Sequence, residues 1–184
     1  FDRINGLPAL ALGIFCLILL CVIALQVQLA LPGNFFVRTL SDYNEYLSMS
    51  FPILFAQAMI SLVSYVAILA ISALVFDSPK FDGIQLLGNT ALAKYPYFLM
   101  VAALYFYALM SQTFEVSQLR QAPLAFSSTL IFVLCAIWQG SVLFYAYKSA
   151  TSLKSTKLYL SFAIAIVFAE FVSFVLASAI NPYG

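Results

Sequence analysis

The sequence predicts an all-α, polytopic membrane protein: a bundle of five transmembrane helices with short interfacial helices. Hydrophobic residues make up 64% of the 184-residue chain and charged residues only 8%, whereas soluble domains have about 25% charged residues. Five apolar stretches lie at about 8–31, 52–76, 95–111, 123–147 and 158–180. Each is close to the about 20 residues that a helix needs to cross a bilayer. We therefore expect a single transmembrane domain covering residues 1–184.

The first apolar stretch could be mistaken for a secretory signal peptide because it lies close to the first residue. Its apolar run is longer than the 7 to 15 residues or so of a signal core, and four more such stretches follow. We therefore expect it to be a retained transmembrane helix.

The segment between spans one and two has the pattern of an amphipathic helix. Apolar residues recur at helical spacing, and polar residues lie on the opposite face. Its apolar residues are Phe36, Leu40, Tyr43 and Leu47, and its polar ones are Arg38, Asp42, Glu45 and Ser48. This helix would lie along the outer interface or extend span two. It would either seal the bundle against lipid, or gate a cavity or bind a partner. Span two would begin at Pro52, which the first turn of a helix tolerates.

The segment before span three predicts a second interfacial helix. Ser78 and Pro79 would start it, and an apolar stripe would follow. The stripe consists of Phe81, Ile84, Leu87 and Ala91. Lys94 and the neighbouring tyrosines would then lie at the level of the lipid headgroups.

The distribution of Lys and Arg predicts the orientation, because loops rich in basic residues stay in the cytoplasm. Two basic residues, Arg38 and Arg120, lie on the side opposite the amino terminus. Six share the side of the amino terminus: Arg3, Lys80, Lys94, Lys148, Lys154 and Lys157. We therefore expect a cytoplasmic amino terminus and a carboxyl terminus outside.

Glu170 is the sharpest candidate for a functional side chain. It lies near the middle of span five, where an ionised carboxylate is costly, so we expect it to be protonated or paired inside the bundle. Other polar side chains within the spans would join it in an intramembrane polar site: Gln57, Ser61, Ser64, Trp138, Gln139 and Ser173. These residues would either form hydrogen bonds between helices or line a polar cavity or ion pathway.

The sequence argues against other classes of protein. It contains no His, and its three Cys lie in apolar stretches, so neither a metal site nor a disulfide framework is predicted. It has no P-loop and no Gly-rich dinucleotide motif. A net charge of +1 without a basic cluster gives little attraction for nucleic acid. We therefore expect no enzyme activity, no cofactor and no nucleic-acid partner, with a lipid-modifying enzyme as a minor alternative.

Two stretches resemble the Yip1-domain family of five-span membrane proteins. The first is the sequence FDGIQLLGNT at 81–90, which runs through Lys94 and Pro96 into span three. The second is Ile137 and Trp138, followed by the sequence YKSA at 147–150 and by Lys157. The sequence shows neither a long amino-terminal region nor a clear Asp-Leu-Tyr-Gly-Pro element of the kind that eukaryotic members have. The resemblance therefore leads us to expect a bacterial-type member in the inner membrane.

Two functional hypotheses follow. The resemblance implies a scaffold or membrane-organising, trafficking-type factor that acts through helix association, with membrane lipid, copies of itself or other membrane proteins as partners. The buried Glu170 instead suggests a small transporter or channel component with a titratable carboxyl group.

Overall fold

The computed structural model is helical, apart from one two-residue strand pair, and describes residues 6–26, 29–30, 38–39, 50–78, 80–113 and 121–180. The helices are α1 (Leu7–Gln26), α2 (Phe51–Val75), α3 (Gly83–Leu92), α4 (Tyr95–Thr113), α5 (Gln121–Ala150) and α6 (Ser155–Ala179). Strand β1 (Leu29–Ala30) pairs antiparallel with β2 (Arg38–Thr39). The all-helical class predicted from the sequence is confirmed.

Four helices in the described part of the chain are long and apolar enough to cross a membrane: α1, α2, residues Leu130–Ala150 of α5, and α6. Large apolar side chains also cover the outside of the bundle, with Val167 and Phe171 more than 65% exposed. Such a surface suits lipid, and the chain is an integral membrane protein of the helical class.

The segment after α1 differs from the prediction. Helix α1 ends at Gln26, before the predicted limit at 31, because the chain becomes extended at Leu29. Arg38 and Thr39 are also extended, so the predicted amphipathic helix does not include them. The rest of that predicted helix lies outside the described residues. Helix α2 begins at Phe51 with Pro52 in its first turn.

Helix α3 begins later than predicted and packs inside the bundle. Its N-cap is Asp82, whose side chain accepts a hydrogen bond from the Gln85 backbone N–H (2.9 Å), rather than Ser78 or Pro79. The predicted apolar stripe is divided between two environments, because Phe81 and Ile84 are exposed on the outer surface and Ala91 is buried in the bundle. The second half of α3, from Gly88 to Leu92, is buried instead.

The close approach of α1 explains this burial. A Cβ atom added at Gly13 would lie 2.6 Å from the backbone carbonyl carbon of Ala91, so only glycine allows the two helices to come this near. Further along, Leu17 and Leu20 of α1 share a hydrophobic cluster with Tyr97 and Val101 of α4. Helices α3 and α4 therefore run in the same direction as α1, one after the other.

Helices α2 and α5 run opposite to α1, and α6 packs antiparallel against α2. Tyr65 of α2 contacts Glu170 of α6, and Ser72 contacts Ser161, which fixes an antiparallel pair. Helix α5 runs antiparallel to α3 and α4. The start of α3 at Asp82 is bonded to the end of α5 at Ala150, and Tyr97 of α4 packs edge-on against Phe132 in the first half of α5. We call the two ends of the bundle the Asp82 end and the Phe51 end.

Two connecting segments are joined at the Asp82 end. The Asp82 backbone N–H donates to the Ala150 carbonyl oxygen (2.9 Å), and Phe81 forms an antiparallel bridge with Thr151. The Lys80 backbone N–H donates to the Ser152 hydroxyl (3.1 Å). These bonds hold the start of α3 against the connection between α5 and α6.

Candidate functional site

Lys94 is the unexpected residue of this fold. It lies in the two-residue break between α3 and α4, where Pro96 has no backbone N–H to continue a helical ladder. Its backbone oxygen accepts from the Tyr97 N–H (3.1 Å), which starts α4. Its side chain is only 5% exposed, and its ammonium nitrogen lies 3.2 Å from the Ser61 hydroxyl.

This position is deep in the bundle rather than at the predicted headgroup level. Ser61 is ten residues into α2, or about 15 Å along its axis, which is half of a ~30 Å hydrocarbon core. Lys94 follows Gly83 by eleven residues, which gives about 17 Å from the Asp82 end by the same measure. The prediction for Lys94 is therefore wrong, because α3 enters the bundle instead of lying at its surface.

Glu170 lies at a similar depth on α6. It precedes the end of α6 at Ala179 by nine residues, or about 14 Å. The Tyr65 hydroxyl donates a hydrogen bond to its carboxylate. Tyr65 and Ser61 are four residues apart and so share one face of α2.

Lys94 and Glu170 together form what we call the charged pair. The negative charge of Glu170 attracts the Lys94 ammonium group. Ser61 and Tyr65 on the shared face of α2 hold the two members from one side. Glu170 thus has a hydrogen-bonding hydroxyl on α2 and a nearby cation.

Four buried polar side chains lie within about one helical turn of the charged pair or of the residues around it, and we call them the polar set: Gln57, Tyr97, Gln139 and Ser173. Each is at most 2% exposed. Among the described residues, none offers a hydrogen-bond partner to the Gln57 side-chain oxygen, the Tyr97 and Ser173 hydroxyls, or either amide atom of Gln139. Buried polar atoms are rarely left unpaired, which marks this region as unusual.

The other predicted site residues lie elsewhere. Ser64 is buried on α2, one residue before Tyr65. Trp138 is 45% exposed and packs edge-on against Tyr95 on the outside of the bundle, so its predicted interior position is wrong. Adjacent helical residues point about 100° apart, and Gln139 takes the inward direction.

Part of the polar stripe on α2 forms ordinary bonds between helices. The Ser72 hydroxyl donates to the Ser161 carbonyl oxygen (3.0 Å), and the Tyr147 hydroxyl donates to the Ser161 hydroxyl (3.1 Å). Hydrogen bonding between helices, one of the two interpretations of the stripe, therefore applies to its part near the Asp82 end.

Sequence reasoning missed three residues of the site: Lys94, Tyr65 and Tyr97. A signal for Lys94 was present, because a Lys two residues before a Pro and between two apolar segments favours a helix break. The tyrosines gave no signal of their own, since a buried Tyr in an apolar helix resembles any other aromatic core residue.

The fold and the site together define the class: an all-helical integral membrane protein with a charged pair midway through its bundle. Comparison of the chain with models of protein families, with curated proteins and with solved structures gives no match. The resemblance to the Yip1-domain family therefore remains a prediction.

The site offers proton exchange as its chemistry. An ammonium group, a carboxylate and a phenol lie along one face of α2, and each can gain or lose a proton or pass one on. Within the described residues, no three potential His, Cys, Asp or Glu ligands cluster.

Proposed function

We propose that this protein is a small transporter or channel component whose charged pair takes up and releases protons inside the membrane. The observation that supports this proposal is the burial of Lys94 beside Ser61, within the electrostatic reach of Glu170. Each charged residue at the centre of a membrane helix costs roughly 2.5 to 3.5 kcal/mol on insertion scales.

Stability alone is a poor reason to keep such a pair. Buried ion pairs can often be replaced by apolar residues of similar size at little cost, or with a gain. A titratable pair in the membrane is accordingly a mark of ion and proton pathways. The helix break at Lys94 adds weight, because transporters commonly form their binding sites at interrupted helices near the bilayer midplane.

The proposed topology has five crossings, in which α3 and α4 together form one interrupted crossing. Four lysines are exposed at the Asp82 end: Lys80, Lys148, Lys154 and Lys157. Burial of Lys94 removes it from the loop residues and leaves five basic residues against two, so the proposed orientation still has the amino terminus in the cytoplasm. The proposed location is the inner membrane of a bacterium.

The test is proton and cation flux in proteoliposomes under an imposed pH gradient and potential. Three proteins are compared: the natural sequence, Glu170→Gln and Lys148→Met, an exposed lysine outside the site. We expect flux in the natural protein and in Lys148→Met, and at least a tenfold loss in Glu170→Gln.

A folding control is needed because Glu170→Gln could also destabilise the bundle. Circular dichroism and thermal unfolding of each reconstituted protein provide it. If the natural protein carries no flux, or if folded Glu170→Gln carries as much as the natural protein, the transport proposal fails.

The second candidate is the scaffold or membrane-organising role, acting through association of helices. The observation in its favour is the broad apolar outer face of α5 and α6, which includes Ile137, Phe168 and Phe171 and would suit another membrane helix as well as lipid. Cross-linking in native membranes separates the candidates. Capture of discrete homo-oligomers or specific complexes, without flux in liposomes, would favour the scaffold, while monomers alone would count against it.

A further inference from the structure

The polar set is distributed unevenly around the charged pair. Tyr97 lies one turn beyond Lys94 in α4, and Ser173 lies one turn beyond Glu170 in α6. Gln57 lies one turn before Ser61 in α2, which runs the opposite way. All three steps lead from the charged pair toward the Phe51 end.

The members of the polar set converge on one region. Tyr97 shares a hydrophobic cluster with Leu54 and Ala58, which flank Gln57 on α2. The Tyr97 hydroxyl also lies within electrostatic reach of the Glu170 carboxylate. Because Tyr65 pairs with Glu170 and Ser72 with Ser161, the antiparallel register places Ser173 near the level of Ser61.

Gln139 belongs to the same region. Leu143, one turn from Gln139 on α5, shares a cluster with Tyr65, Ala93 and Ala169. Ala93 precedes Lys94 and Ala169 precedes Glu170, so this cluster borders the charged pair. The direction from Leu143 to Gln139 again leads toward the Phe51 end, because α5 runs antiparallel to α4.

The side of Glu170 that faces the Asp82 end is apolar. Ile166 lies one turn before Glu170, Ile68 lies one turn beyond Tyr65, and both pack against the cluster that contains Leu143. On the side of Lys94 toward this end, the Thr90 hydroxyl and the Asn89 side-chain oxygen have no hydrogen-bond partner among the described residues, while the Asn89 amide nitrogen donates to the Ser149 hydroxyl (3.5 Å). The joined connecting segments then close the Asp82 end.

We infer that the polar set binds a file of water molecules that leads from the Phe51 end to the charged pair and stops at the apolar side of Glu170. A buried water needs two to four polar partners, and the amide of Gln139 and the hydroxyls of Tyr97 and Ser173 supply them. The role of this file in passing protons rests on the proposed function, whereas its existence does not.

Cysteine accessibility tests this inference. In a protein whose three natural cysteines are replaced by Ala, single cysteines are introduced at matched positions on the two sides of the charged pair. The pairs are Ser173→Cys with Ile166→Cys on α6, and Gln139→Cys with Leu143→Cys on α5. A membrane-impermeant thiosulfonate reagent is added to one side of sealed vesicles.

Two exposed positions report which side the reagent reaches. Ser50→Cys marks the Phe51 end and Thr156→Cys marks the Asp82 end, since both residues are exposed next to helix starts. Labelling after denaturation and a thermal unfolding curve show that each variant is present and folded.

We expect reagent on the Phe51 side to label Ser173→Cys and Gln139→Cys at least tenfold faster than Ile166→Cys and Leu143→Cys. Equal rates within each pair, or faster labelling from the Asp82 side, would overturn the inference. The assay measures the access of a reagent rather than flux. A protein without flux but with this labelling pattern would therefore refute transport and leave the water file standing.

Discussion

The charged pair predicts strong energetic coupling between two residues that are far apart in sequence. We consider Lys94→Met, Glu170→Gln and the double variant. Lys94→Met keeps the length of the side chain and removes its charge, and Glu170→Gln is nearly isosteric. Because Lys94 is only 5% exposed, bulk water compensates little for the loss of its partner.

The expected loss of stability follows from the environment of the two side chains. Removing one member of a buried pair leaves the other uncompensated and typically costs about 3 to 5 kcal/mol. The double variant leaves neither charge buried. We therefore expect it to be no less stable than either single variant, with a coupling energy of at least about 3 kcal/mol, at the top of the range for interacting residues.

The assay is reversible unfolding of the purified protein in mixed micelles with increasing SDS, followed by circular dichroism. Lys148→Met is the matched control, because Lys148 is exposed in the last turn of α5. A lysine there interacts with the helix dipole, and we expect its loss to cost less than about 1 kcal/mol.

Strictly additive costs would refute this reasoning. If the double variant loses the sum of the two single losses, Lys94 and Glu170 are independent, and the site does not contain a charged pair. Single losses as small as that of Lys148→Met would equally contradict the buried position of Lys94.

Two further substitutions test the contacts around the site. Tyr65→Phe removes the hydroxyl that donates to the acidic member of the charged pair, and we expect a loss of about 1.5 to 3 kcal/mol in the same unfolding assay; Tyr145→Phe, at an exposed position, should change stability by less than about 0.5 kcal/mol. Gly13→Leu forces a side chain against the backbone of Ala91, and we expect a loss of at least about 1 to 3 kcal/mol, whereas Ala11→Leu on the exposed face of α1 should have little effect. A folded, fully stable Gly13→Leu protein would contradict the close packing of α1 and α3.

Composition alone predicts the class of this protein, because 64% hydrophobic residues leave no soluble fold. The positions of polar residues within the apolar stretches also predict the burial of Gln57 and Gln139, whereas Glu170 is only partly buried. Polar side chains in a membrane helix avoid lipid, so they turn toward the bundle wherever the helix allows it. The class of the protein and the burial of these side chains thus follow from the sequence of each helix and from the fact that lipid surrounds it.

The errors arise where neighbouring helices decide the outcome. The sequence around Lys94 is typical of the membrane interface. In the structure, Gly13 of α1 allows α3 to pack closely inside the bundle, and Lys94 is buried with it. Trp138 and Gln139 are both plausible inward residues, and only the packing of α5 against α4 selects Gln139. The periodicity of a single helix gives no information on the contact of α1 with α3 or of α5 with α4. For this reason the partner of Glu170 could not be predicted.

The distance along the chain between the members of the charged pair affects how the protein is made. Glu170 follows Lys94 by 76 residues (from 94 to 170). At about 5 to 20 residues per second, a ribosome needs about 4 to 15 s to add them. During this interval Lys94 has no carboxylate partner from α6, so the charged pair forms only after α6 has been synthesised. The charged pair is therefore among the last tertiary contacts that the growing chain is able to form.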